Sequence, residues 1–146
     1  MPPFHRSLRS TALAAVVMTL AGTTAALAVC GAPATQLTGD ALSAALGGKT
    51  VCVGGTGTWT NQEFHAGSAG GDIIDYKKGP GDRIDPSATI GSWSIAGAGR
   101  DTVSYNYGTA AFSYTVWQQS NGSLDFCNGS AAIVSGATVR NGLGPC

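Results

Sequence analysis

One short run carries the residues most able to do chemistry: Trp59-Thr60-Asn61-Gln62-Glu63-Phe64-His65. As an extended strand it places Trp59, Asn61, Glu63 and His65 on one face, because successive side chains alternate. A carboxylate two residues from an imidazole can share acid–base work or grip a polar ligand. Glu63 and His65 are therefore the candidate catalytic pair. The competing reading turns this face to water and points Phe64 into the core. His5 is the only other histidine, and it lies in the basic N-terminal stretch with Arg6 and Arg9.

Other chemistries find less footing. Gly47-Gly48-Lys49-Thr50 has the tail of a phosphate-binding loop, but Ser43 stands where the leading glycine belongs. The order there is helix into strand, whereas phosphate is held by a strand leading into a helix N-terminus. No histidine–cysteine spacing or calcium-loop pattern provides a metal site, and no Gly-x-Ser-x-Gly elbow presents a nucleophilic serine. The sequence implies neither metal nor cofactor.

The N-terminus explains the cysteines. The apolar run Thr11–Leu27 follows the basic start and ends in Ala26-Leu27-Ala28, a small-x-small cleavage pattern. Residues 1–28 read as a signal peptide, with an uncleaved anchor and a lipid-modified Cys30 as rival readings. The remainder, 29–146, reads as one domain in a periplasmic or secreted setting, touching the membrane only through the signal before cleavage. Cys30, Cys52, Cys127 and Cys146 then fall in an oxidising compartment as disulfide partners, with three pairings open. No Cys-x-x-Cys marks a redox motif. Losing Arg6 and Arg9 leaves the domain faintly acidic, which argues against a nucleic-acid partner.

The elements that must position these residues are mostly strands. Period-two alternation runs through Gly91–Ile95, Thr102–Tyr107, Phe112–Val116 and Leu124–Phe126, with the aromatic residues on one face. Weaker signals extend the series to about eight strands: 50–54, 58–65, 72–78, 91–96, 102–107, 112–119, 123–127 and 131–139. Tight connectors such as Gly97-Ala98-Gly99, Gly108-Thr109-Ala110 and Asn121-Gly122 make them an antiparallel meander. Asn121 and Asn128, each in an Asn-Gly-Ser triplet, read as turns rather than glycosylation sites. Thr38-Gly39-Asp40 caps a short helix over 41–46 that Gly47 and Gly48 end, and 29–38 reads as irregular. The predicted fold is all-β, a closed or nearly closed barrel with one N-terminal helix, a two-sheet sandwich being the alternative.

On this scaffold, Trp59, Trp93, Tyr105, Tyr107 and Tyr114 are the candidate ligand-binding residues, since buried tyrosine hydroxyls need partners. The charged stretch 72–86 offers a second surface, with Lys77, Lys78, Asp82, Arg83 and Asp85 as candidate interaction residues on a loop stiffened by Pro80 and Pro86. The succession Thr50-Val51-Cys52, Gln62–His65, Asp75–Pro80, Gly91–Ser94, Tyr105–Gly108 and Phe126-Cys127 resembles a group of short secreted proteobacterial proteins of no assigned activity. Strand count and Gly91-Ser92-Trp93 are loosely similar to lipocalin-like and avidin-like barrels and to periplasmic inhibitors of proteases or lysozyme. The resemblance implies export and small size; the sequence as a whole reads as an exported binding or interaction module for a small ligand or a protein partner. The alternatives are inhibition through the 72–86 loop and a small enzyme using Glu63 and His65.

Overall fold

The computed structural model describes residues 30–77, Gly81 and 88–146. Residues 1–28 lie outside the described residues, as do Lys78, Asp82, Arg83 and Asp85. The element order is β1 (Thr35–Leu37), α1 (Gly39–Leu46), β2 (Lys49–Gly55), β3 (Thr58–His65), β4 (Gly70–Lys77), β5 (Ala88–Ala96), β6 (Thr102–Asn106), β7 (Ala111–Gln118), β8 (Leu124–Asn128) and β9 (Ala131–Asn141).

From β2 to β9 each strand pairs antiparallel with the next, and β9 returns to β2 with Lys49 opposite Asn141 and Val51 opposite Val139. The sheet is thus a closed eight-stranded barrel, and closure rules out the sandwich. Register slips curve it: one lies between Val53 and Gly54, where Gly54 takes φ 109°, and another between Gln62 and Glu63 opposite β4. Such bulges bend a strand and increase its twist, as a small barrel requires.

The expectation of an irregular 29–38 needs correction. Thr35–Leu37 forms β1, which pairs with Val116–Gln118 of β7. On that edge β6 covers only Ala111–Tyr114, so β1 takes over where β6 ends. The helix forms as expected around an i, i+4 pair: Leu42 and Leu46 are both fully buried and join the barrel core with Ile73, Trp93, Val103, Val116 and Leu124. Its start differs in one detail. Thr38 holds the N-cap position, but its hydroxyl makes no capping bond; its carbonyl accepts from Ala41 and Leu42 instead. Arg100 ties the helix to the β5–β6 turn through Asp40 and Ser43, a contact too exposed to contribute much stability.

The bridges are Cys30–Cys127 and Cys52–Cys146. Each fastens one terminal segment to the barrel wall, and together they fit an oxidising environment. Cys30, being bridged, is not available for acylation. The second bridge pins the segment after β9 against the outer face of β2 and β3. Thr50 Oγ1 donates toward the carbonyls of Gly142 and Gly144, 3.0 and 2.9 Å away, and Gln62 Oε1 accepts the Cys146 N–H at 2.7 Å. Two polar side chains on an outward strand face are thereby fully buried. Phe64, opposite Thr50, lies on this outer face and is absent from the core, contrary to the reading that points it inward.

Candidate functional site

Above the core the barrel is hollow. A cavity of about 320 Å³ is lined by Val51 and Val53 of β2, Asn61, Glu63 and His65 of β3, Tyr105 and Tyr107 around β6, Phe112 and Tyr114 of β7, Phe126 of β8 and Val134 of β9. This volume is at the small end of ligand pockets. The alternation of β3 brings Asn61, Glu63 and His65 in together, and that of β6 and β7 brings in the aromatic rings.

Those rings form a two-by-two wall. Tyr105 and Tyr107 are nearly parallel, with centroids 6.3 Å apart, and so are Phe112 and Tyr114 at 6.3 Å. Across the strands Tyr105 meets Tyr114 at 6.0 Å and Tyr107 meets Phe112 at 6.1 Å. Offset contacts at these separations suit the ring quadrupoles. Phe112, 46% exposed, stands at the mouth.

The two candidate acid–base residues enter the same cavity but are not partners. Tyr107 donates to Glu63 Oε2 at 2.7 Å. His65 Nε2 is 3.0 Å from the Tyr105 hydroxyl, and its ring meets Trp93 edge-on at 5.0 Å. His65 Nδ1 faces the Lys49 backbone without a hydrogen bond of good geometry. A proton on Nδ1 leaves Nε2 to accept from Tyr105.

Electrostatics separate their roles. Burial lowers the His65 pKa to about 4, so the ring is neutral and a weak base. Burial raises Glu63 above the ordinary carboxylate range; Tyr107 pulls it back, and Asp75, directly opposite on β4, pushes it up again. Tyr105, Tyr107 and Tyr114 are all raised, first by burial and next by the Glu63 charge. One carboxylate is therefore within electrostatic reach of three phenols, none of which is a nucleophile at neutral pH.

The remaining sequence candidates are placed apart. Trp93 packs beneath the cavity, its indole N–H donating to the Ala66 carbonyl at 2.8 Å. Trp59 is half-buried on β3 and does not line the cavity. Lys77 ends β4, paired with Gln62 across the bulge. Val51, Val53 and Val134 complete the lining, and nothing in their local sequence separates them from core valines. Among the described residues, no three His, Cys, Asp or Glu side chains come together as a metal site.

Fold and cavity define a class: a disulfide-stapled, eight-stranded antiparallel barrel, filled below and hollow above. Comparison with protein-family models, curated proteins and solved structures finds no match for the chain.

Proposed function

We propose that this protein is an exported, non-catalytic binding module that holds a small ligand inside its barrel. One observation carries the reading: the cavity of about 320 Å³ with four aromatic rings on one side and Glu63, His65 and Asn61 on another. Apolar walls with a few convergent polar groups are what small-molecule sites use for affinity and orientation. Binding is favoured over catalysis because Glu63 and His65 are each bonded to a different tyrosine and His65 is too weak a base for general-base work near neutrality. Of the 72–86 stretch expected as an inhibitory loop, residues 72–77 belong to strand β4 and the rest, Gly81 apart, lies outside the described residues.

Titration with p-cresol, an uncharged single-ring probe, followed by NMR shifts of the tyrosine and phenylalanine rings, tests the reading. Saturable binding is expected for the wild type. It should be lost in Val134→Phe, which fills the cavity, and weakened in Tyr114→Ala. The double charge reversal Lys77→Glu/Lys78→Glu should leave it unchanged. Equal binding by Val134→Phe, or no saturable binding at all, would refute an interior site.

A further inference from the structure

The polar groups of the cavity are asymmetric in charge. Its described lining holds one carboxylate, Glu63, and no lysine or arginine. Tyr107 occupies Oε2 at 2.7 Å, while Oε1 makes no hydrogen bond among the described residues. Asp75 faces Glu63 across the β3–β4 register and raises its pKa. His65 contributes no positive charge, because it is neutral above pH of about 4. Opposite stands the wall of Tyr105, Tyr107, Phe112 and Tyr114, with neighbouring centroids 6.0 to 6.3 Å apart.

A half-buried carboxylate with one oxygen open to the cavity repels anions and offers neutral ligands no charge to pair with. An ammonium group balances it. Aromatic rings also attract cations through their negative faces while accepting an apolar body by ordinary packing. Both walls therefore select the same chemistry.

We propose that the cavity takes a small organic cation, a primary or quaternary ammonium on a compact apolar or aromatic body, with its charge at Glu63 and its body against the tyrosine wall. This rests on the interior-binding reading above and adds the class of ligand. A neutral donor such as an alcohol or amide could hydrogen-bond Glu63 but would gain nothing from the charge. The cavity volume limits the guest to roughly the size of a single substituted ring.

The test pairs two probes of nearly equal shape, phenyltrimethylammonium and its uncharged carbon isostere tert-butylbenzene, titrated into the wild-type protein and followed by NMR shifts of the tyrosine and phenylalanine rings. The cation should bind at least about tenfold more tightly than the isostere. Glu63→Gln keeps the shape and the Tyr107 contact; in it the preference should fall to near unity while the isostere still binds, and an unchanged circular dichroism spectrum shows that the variant is folded. Tyr114→Ala should weaken both probes. Equal affinity of the two probes in the wild type, or a preference that survives Glu63→Gln, overturns the cation assignment and leaves the interior site standing. Failure of both probes to bind overturns both proposals.

Discussion

Removing the Cys52–Cys146 bridge by the double substitution Cys52→Ala/Cys146→Ala has a cost set by the topology of the two crosslinks. Taken alone, a loop spanning the 94-residue separation restricts the unfolded chain by about 4.7 kcal/mol in the chain-entropy treatment. The other bridge shortens this. With Cys30 still joined to Cys127, the route from Cys52 to Cys146 runs back to Cys30, across the bridge and on from Cys127, roughly 40 residues in all, so the cost falls to about 4 kcal/mol. By the same geometry, removing Cys30–Cys127 alone also costs about 4 kcal/mol, whereas removing both costs about 9 kcal/mol, close to the whole stability of a domain. The assay is urea unfolding at pH 7 followed by tryptophan fluorescence and circular dichroism. Single-bridge variants should lose about 15 °C in melting temperature and unfold with a steeper denaturant dependence, because the freed chain exposes more surface. A loss below about 1 kcal/mol for either single variant, or strict additivity of the two, would refute the crosslink-route argument.

Two further outcomes follow from groups already placed. His65 has its ordinary pKa of about 6.5 in the unfolded chain and about 4 in the barrel. The unfolded state therefore binds the extra proton, and stability should fall by about 3 kcal/mol as pH drops from 6.5 to 4. Urea titrations across that range should show a flatter profile for His65→Gln; identical slopes in the two proteins would refute the assignment. A Cβ on Gly91 would press into the backbone carbonyl of Asn106 on the paired strand, so Gly91→Ala should destabilise by about 1–3 kcal/mol, and an unchanged urea midpoint would show that β5 and β6 can move apart freely.

Strands were legible wherever one face is continuously apolar. Val103, Tyr105 and Tyr107, then Phe112, Tyr114 and Val116, announce the inward sides of neighbouring strands, and Leu42 with Leu46 announces the helix. β1 was not legible, because a three-residue strand exists only by pairing with the part of β7 that β6 leaves uncovered. The cysteine pairing was hidden for a similar reason: it depends on where barrel closure brings chain segments far apart in sequence. Thr50 and Gln62 read as surface residues, and they are buried only because the segment after β9 lies over them. Within the site, the alternation of β3 predicted that Glu63 and His65 share a face, and it predicted the three tyrosines on the apolar sides of β6 and β7. It could not say that the interior is hollow. That depends on side-chain volume summed around the whole ring, where Val51, Val53 and Val134 leave space that larger residues would fill.

The pairing of β9 with β2 has a consequence in time as well as in space. It joins Lys49 to Asn141, 92 residues along the chain, and contacts so distant form slowly because the intervening loop must close first. During that interval β2 has an unpaired edge, and β9 has another, each able to add a strand from a second copy. The finished barrel has no such hazard, so the danger of aggregation belongs to the folding pathway. Cys52 lies on β2 at this seam, and Cys146 follows β9. Oxidation there acts as a latch that turns a late and reversible meeting of strands into a lasting one. The rate at which that bridge forms, more than the depth of the core, should govern how much of the newly made protein reaches the barrel.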